Sequence, residues 1–315
     1  MSSAPRRPIL IAGPTASGKS ALALALAKRI DGVVINADSM QVYRELAILT
    51  ARPTAEEMAS VPHRLYGHLS GHEAYSAARF ASEAATVVAE AQAAGLVPIV
   101  VGGTGLYFRA LTEGLSPMPA IPNELRLYWR RRAADLGSEA LHDELSRRDL
   151  ETASRLNPAD TQRITRALEV IDATGRSITS WQSERGRPVI PSEDALKLVL
   201  RPERSALFTR CDARFDAMLS TGALDEVRQF LRLEIPTGQP VWGALGLRPL
   251  AQQLRGELTH ADAVALSKTS TRQLAKRQLT WLRRYNIAWN IVHWQDLETT
   301  TRKIDSFVDL LLDLP

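Results

Sequence analysis

The sequence predicts a parallel α/β sheet flanked by helices and interrupted by an all-helical insertion. Three observations predict it. Short, wholly apolar runs near 8–12, 33–35 and 97–101 alternate with helix-forming segments, as in a sheet covered on both faces. Two of these runs lead into glycine-rich turns, at 13–20 and 102–105. Prolines at 117, 119 and 122, and again at 188 and 191, enclose a charge-rich stretch that contains no good strand. The core is therefore expected to span 1–116 and 192–315, with the helical insertion at 117–191.

Each element has its own reason. Pro8 to Ala12 reads as a buried strand, and Ala21 to Ile30, rich in Ala and Leu, as a helix. Val33-Val34-Ile35 forms the next strand and ends at Asp38. Ser76 caps a helix that stops at Gly95. Val97 to Val101 is a third strand, and Glu124 to about Thr174 is helical. Leu196, Leu198 and Leu200 alternate and return the chain to the sheet. Helical segments run from about Glu203 to Leu233 and from Ala261 to Tyr285, and Trp289 to Trp294 reads as a late strand.

Composition sets limits. The 315 residues carry 39 Lys+Arg and 35 Asp+Glu, a net charge of +4, with 45% hydrophobic and 23% charged residues. These are globular values that exclude a disordered chain. A single cysteine, Cys211, excludes a disulfide framework and a cysteine-based zinc finger. No apolar run reaches membrane-spanning length, and the apolar run near the N-terminus breaks at Gly13-Pro14, so no signal peptide is expected. The chain reads as a soluble, cytoplasmic monomer.

Gly13-Pro14-Thr15-Ala16-Ser17-Gly18-Lys19-Ser20 matches G-x-x-x-x-G-K-[ST] between a strand and a helix. Glycines let backbone N–H groups turn around phosphate oxygens, and the helix N-terminus adds partial positive charge. Lys19 adds a full charge, and Ser20 offers a hydroxyl to Mg²⁺. The sheet is thus expected to be P-loop NTPase-like. The loop specifies phosphate rather than ATP. A small-molecule kinase, a nucleic-acid-dependent ATPase and a transferase acting on a diphosphate all remain open.

Asp38 follows the second strand, and ligands of open α/β sheets bind beyond the carboxyl ends of strands. It can hold a metal-bound water, serve as general base or cap the next segment. Gly102-Gly103-Thr104-Gly105 is either a second phosphate-facing rim or a tight βα turn. Arg210 and Arg214, four apart on a predicted helix, share a face. His63, His68 and His72 have poor spacing for zinc, and Gly67 and Gly71 interrupt them.

Several ordered motifs resemble the tRNA dimethylallyltransferase (isopentenyltransferase) family over nearly the whole chain. They are GPTASGKS at 13–20, DSMQVYR at 38–44, TARP at 50–53, PHRL at 62–65, GGTGLY at 102–107, QRITRALEV at 162–170, RFDAM at 214–218 and AKRQLTW at 275–281. Arg52, Ser20, Cys211 and Leu247 depart from the usual residues. The resemblance implies transfer of a dimethylallyl group from its diphosphate, with Mg²⁺, to the exocyclic amine of the adenosine 3′ of the anticodon in tRNAs reading codons that begin with U.

It also implies roles. Gly13 to Ser20 would bind the diphosphate, with Mg²⁺ on Ser20, while Asp38, Thr104 and Arg214 would be catalytic. Contacts with the tRNA anticodon stem-loop would come from Asp38, Ser39, Met40, Gln41 and Thr104. The insertion would add Arg126, Gln162, Arg163, Ile164, Thr165 and Arg166. Gly243, Ala244, Leu245, Gly246, Leu247 and Arg248 would follow, then Lys276, Arg277, Gln278, Trp281 and Arg283 on a helix without an acid from Thr271 to Tyr285. Arg272 lies near the same face as Lys276 and Arg283.

Overall fold

The computed structural model describes residues 6–184, 186–285 and 288–292. The chain divides into two compact units: one holds residues 1–112 and 189–315, the other residues 113–188. The second unit starts four residues before the proline-marked boundary and ends three residues before its close.

The first unit is built on one parallel sheet. Its strands are β1 (Ile9–Ala12), β2 (Gly32–Asn36), β3 (His63–Arg64), β4 (Val97–Gly102), β5 (Leu196–Leu200) and β6 (Asn290–Val292), in the order β3-β2-β4-β1-β5-β6. β1, β2 and β4 are buried along their whole length, which explains their unbroken apolar runs. Alternation then divides the side chains between two faces. Ile9, Ile11, Val34, Ile99 and Val101 pack under α1 (Lys19–Arg29) through its Leu22, Ala23 and Leu26. Leu10, Val33, Ile35 and Val100 pack against α3 (Ala77–Ala93), which follows the short α2 (Ala55–Ser60), and against α4 (Gly105–Thr112). Ser76 caps α3 by accepting the Arg79 N–H, as the sequence predicts.

Register aligns the carboxyl ends of the strands. Ala12 stands beside Gly102, and Asn36 beside Val101. The phosphate loop, Asp38 and the second glycine turn therefore leave the sheet at one edge.

The second unit holds α5 (Asn123–Arg148), α6 (Leu150–Arg155), α7 (Thr161–Thr174) and α8 (Ile178–Ser183). Its core is Trp129, Leu141, Leu145, Ile164, Ala167 and Leu168, and the Trp129 indole donates to Asp172 at 2.9 Å. Gly137, at φ 78°, breaks α5 in a conformation that L side chains avoid.

After β5 the first unit continues with α9 (Arg204–Ser220), α10 (Ala223–Leu231), α11 (Leu247–Leu254) and α12 (His260–Tyr285). The helix expected over 203–233 is two helices, because Gly222 at φ 105° reorients the chain between them. Four of these elements escape the sequence reading: α2, the two-residue β3, α8 and α11. Of the expected strand Trp289–Trp294, β6 covers 290–292, while His293 and Trp294 lie outside the described residues.

A third core joins the segment after Asp38 to these helices through Tyr43, Leu46, Phe215, Phe230, Trp242 and Leu250. The Glu226 carboxylate anchors that segment. It accepts the backbone N–H groups of Ala47, Ile48 and Leu49 at 2.6, 2.7 and 2.9 Å. Charge-assisted bonds of this kind are about twice as strong as neutral ones.

Candidate active site

The phosphate loop is held by its neighbours. The Gly13 N–H donates to the Gly102 carbonyl at 3.2 Å, and the Ser17 N–H to the Pro14 carbonyl at 3.3 Å. Gly13 leaves no room for a side chain, since a Cβ there would sit 2.6 Å from Ser17 Oγ. Gly18, at φ 81°, opens α1 without any side-chain cap. The N–H groups of the first turn are thus left for an anion, and the helix dipole favours one.

Cations surround this opening. Lys19 Nζ donates to the Pro14 carbonyl at 3.2 Å. Burial pushes the Lys19 ammonium down to about 8; Asp38 opposes that shift and Arg214 adds to it. On α9, Arg210 Nε donates to the Ala16 carbonyl at 3.1 Å, and Arg214 donates to the Thr15 hydroxyl. Burial lowers the Arg214 guanidinium as well. The two arginines predicted to share a face therefore both reach the loop. Asp38 offsets part of the Arg214 desolvation, and buried cations beside an uncapped helix start favour an anion in the opening.

Asp38 is fixed by its own backbone and its neighbours. Its N–H donates to Asn36 Oδ1 at 2.8 Å, and its Oδ1 accepts the Met40 N–H at 2.9 Å. Asn36, fully buried, donates from Nδ2 to the carbonyls of Asp38 and Leu65, each at 3.0 Å. Thr104 Oγ1 accepts the Ser39 N–H at 3.1 Å, and the Thr104 N–H donates to the Ala37 carbonyl at 3.3 Å. Asp38 and Thr104 thus belong to one hydrogen-bonded turn.

The glycines of the second turn serve packing. A Cβ on Gly102 would lie 2.1 Å from the Ala37 carbonyl oxygen, and one on Gly103 2.3 Å from Gln278 Nε2. One on Gly105 would lie 2.3 Å from the Trp281 ring. Gln278 braces the two loops: its Oε1 accepts the Thr15 N–H at 2.8 Å and its Nε2 donates to the Gly103 carbonyl at 3.0 Å.

Two cavities meet at Arg214. The larger, about 420 Å³, is lined by Gly18, Lys19, Ser20, Tyr66 and Arg210 among others. The smaller, about 60 Å³, is lined by Thr15, Asp38 and a set of apolar side chains.

Among the described residues no group of three or more His, Cys, Asp or Glu could hold a metal ion. His63 Nδ1 pairs with the Val61 carbonyl at 2.9 Å and His68 Nε2 with Glu83 at 3.0 Å. Ser20 is exposed on the first turn of α1. One hydroxyl beside a diphosphate's oxygens suits Mg²⁺, which prefers oxygen donors and few protein ligands.

The residues expected to touch tRNA divide into two groups. Gly243, Arg163, Gln162, Lys276, Arg277 and Arg283 are exposed. Ser39, Met40, Leu245 and Trp281 are half-buried, and Trp281 stacks on Tyr285 with ring centroids 4.7 Å apart. Gln162, Arg163 and Arg166 line a cavity of about 480 Å³ on the second unit, with Arg155 and Gln182. Arg166 also pairs with Glu169 at 3.2 Å, and Arg126 keeps a buried Nε with no hydrogen-bond partner.

Others of these residues are engaged within the fold. Ile164, Thr165, Ala244 and Leu247 turn their side chains into the interior, and Gly246, at φ 84°, caps α11. Gln41 spends its amide on the carbonyls of Thr50 and Ala51, both at 2.9 Å. Arg248 donates to the Trp242 and Thr237 carbonyls. Arg272 is tied to Asp212 at 2.7 Å, so it drops out of the basic face. Asn36, Glu226 and the bracing role of Gln278 are absent from the sequence reading. A polar residue at the end of an apolar strand was the one available signal, for Asn36.

An uncapped phosphate loop, two arginines aimed at it and a carboxylate across the cleft define a P-loop enzyme that acts on a phosphorylated substrate. The comparisons narrow the class. The model of the family described as IPP transferase matches residues 41–285, and that described as isopentenyl transferase matches 7–73. The chain belongs to the IPP transferase family. It is 53% identical over 281 residues to a tRNA dimethylallyltransferase of Azorhizobium caulinodans, covering 89% of this chain and 90% of that one. It is 49% identical over 303 residues to one of Parvibaculum lavamentivorans, covering 96% of each. Among solved structures, a tRNA isopentenylpyrophosphate transferase of Bacillus halodurans matches with a TM-score of 0.67 and 32% identity, over 97% of this chain and 95% of that one. A eukaryotic dimethylallyltransferase acting on tRNA matches with a TM-score of 0.80 and 29% identity, over 98% and 80%.

Proposed function

We propose that the chain transfers a dimethylallyl group from dimethylallyl diphosphate to the exocyclic N6 amine of the adenosine 3′ of the anticodon, in tRNAs reading codons that begin with U. The C1–O bond to diphosphate breaks and an N6–C1 bond forms. The amine proton passes to Asp38, and diphosphate leaves. The observation that carries the reading is the meeting at Arg214 of two cavities, one lined by Lys19 and the other by Asp38, with both Arg214 and Asp38 acting electrostatically on Lys19.

Diphosphate gathers negative charge as C1–O breaks. Lys19, Arg214 and the open N–H groups of α1 stabilise it by preorganised electrostatics. Ser20 would hold Mg²⁺, whose Lewis acidity would add charge neutralisation on the leaving group. Asp38 is positioned as general base by its bonds to Asn36 and Met40. Thr104 orients the same turn through Ser39.

The target base must leave its stack, at a cost of a few kcal/mol. Contacts from the exposed Lys276, Arg277 and Arg283 on the first unit, and from Gln162, Arg163 and Arg166 on the second, offset that cost. The proposed working unit is a monomer acting in the cytoplasm; sedimentation as a dimer at assay concentration would count against this.

The test is direct. The protein is incubated with labelled dimethylallyl diphosphate, Mg²⁺ and total tRNA, without ATP. Label in tRNA supports the reading. In a parallel incubation with ATP added, hydrolysis with no label in tRNA overturns it in favour of a kinase or ATPase.

A further inference from the structure

The larger cavity holds a phenol that the family motifs do not include. Tyr66 directly follows PHRL at 62–65 and belongs to none of the motifs that carry the resemblance. It lines the cavity together with Lys19, Ser20, Arg210 and Arg214. Its ring is half-buried and meets His63 edge to face, with centroids 5.6 Å apart. Among the described residues its hydroxyl has no hydrogen-bond partner.

The turn that presents this ring is strained and tied down. Leu65, at φ 63°, takes the left-handed conformation that residues other than glycine avoid, and Gly67 has φ 55°. Two contacts fasten the turn to the Asp38 segment. Asn36 Nδ2 donates to the carbonyls of both Leu65 and Asp38, each at 3.0 Å. The Gly67 N–H donates to the Gln41 carbonyl at 2.9 Å. Strain at a non-glycine residue persists where its surroundings over-determine it, and such residues cluster at functional sites. One buried side chain, Asn36, therefore sets both Asp38 and the turn that carries Tyr66.

Burial first, then the Asp38 and Glu57 carboxylates, raise the phenol above its ordinary value. It keeps its proton and is a donor lacking an acceptor. The cations beside it favour an anion, and phosphate oxygens are strong acceptors.

We propose that the Tyr66 hydroxyl donates a hydrogen bond to the diphosphate and is a further catalytic residue of the transfer. The proposal rests on the reaction given above. As C1–O breaks, the electron pair of that bond passes to the diphosphate. A preplaced neutral donor stabilises the growing charge beside Lys19 and Arg214 without adding to their mutual repulsion. The phenol proton stays on Tyr66 throughout.

The test uses the full chain and Tyr66→Phe, which keeps the ring and removes only the hydroxyl. Binding of inorganic diphosphate with Mg²⁺, measured by calorimetry without tRNA, should weaken at least about fivefold. The kcat/KM for dimethylallyl diphosphate should fall at least about tenfold, with tRNA affinity and the urea midpoint unchanged. A tyrosine of merely structural importance would move the urea midpoint instead.

An unchanged diphosphate affinity in Tyr66→Phe overturns the proposal. So does a loss seen only in Tyr66→Leu, since the ring and not the hydroxyl would then matter. Weaker binding with an unchanged kcat/KM rejects the catalytic role. If neither variant folds, meta-fluorotyrosine at position 66 decides: its fluorine resonance must move when inorganic diphosphate is added, and an unmoved resonance rejects the contact. The calorimetry needs no transfer. A wild type that binds diphosphate through Tyr66 but puts no label into tRNA therefore rejects the reaction and keeps the hydroxyl contact.

Discussion

The two glycine turns of the sheet edge read alike in sequence and work differently. Residues 13–18 and 102–105 each join an apolar strand to a helix. In the first, glycine keeps side chains away from a ring of N–H groups that α1 leaves uncapped. In the second, glycine admits Ala37, Gln278 and Trp281 to within contact of the backbone. One loop is empty so that a ligand can enter; the other is empty because protein already fills the space. The difference lies in what faces each turn, and Lys19 in the first is its only local signature.

Predictions that sharpen this contrast begin at the chemistry. Asp38→Ala should lower the single-turnover rate roughly 10²–10⁴-fold with little change in tRNA affinity. A rate within threefold of wild type would remove Asp38 as the base. Lys19→Met should lower kcat/KM by roughly 10²–10³-fold, the loss expected when one oxyanion-type donor is removed.

Lys19 also sets a pH dependence. Its pKa in the folded chain is about 8, below its ordinary 10.5, so the free enzyme loses this charge as pH rises through about 8. A bound diphosphate favours the ammonium and raises its pKa. Affinity for dimethylallyl diphosphate, measured by calorimetry without tRNA, should therefore weaken up to tenfold per unit above about 8. Lys19→Met should abolish that slope. The sign for stability is the reverse of a salt-bridged lysine: the depressed pKa costs the empty fold stability at neutral pH, and raising pH through about 8 relieves it.

The second turn should fail by sterics instead. Gly105→Ala forces Trp281 aside and should cost about 1–3 kcal/mol, read as a lower midpoint in urea. Gln278→Ala leaves the Thr15 N–H and Gly103 carbonyl without their partner and should cost about 1–3 kcal/mol, with inhibition by inorganic diphosphate weakened because Thr15 belongs to the cradle. A Gln278→Ala protein of unchanged stability would show that the brace is decorative. The smallest expected effect lies away from both turns. Neutralising Arg163 and Arg166 together should flatten the salt dependence of tRNA binding by up to two units of slope and leave the diphosphate KM unmoved.

Much of the site was legible because its rules are local. Strand, loop and helix fix Lys19; strand polarity fixes Asp38; four-residue spacing puts Arg210 and Arg214 on one face. The burial of Ile164 was not read from the sequence, which placed it among the tRNA contacts, although Ile164, Ala167 and Leu168 form an apolar stripe at helical spacing. Gln278 and Glu226 were not legible. Their partners, Thr15 and Ala47, lie 263 and 179 residues away, and no periodicity or propensity relates such positions. The break between α9 and α10 was hidden because Gly222 carries a helix-ending role only in its observed backbone conformation.

Strand order has a consequence for synthesis on the ribosome. β1 lies between β4 and β5, yet the whole second unit is translated between those two strands. Once β4 has emerged, one edge of β1 waits unpaired while more than ninety residues are made, for roughly 5–20 s at ordinary elongation rates. During that interval a short, wholly apolar strand stands open to any neighbouring chain. A nascent chain of this protein therefore needs protection longest at the strand that carries its phosphate loop.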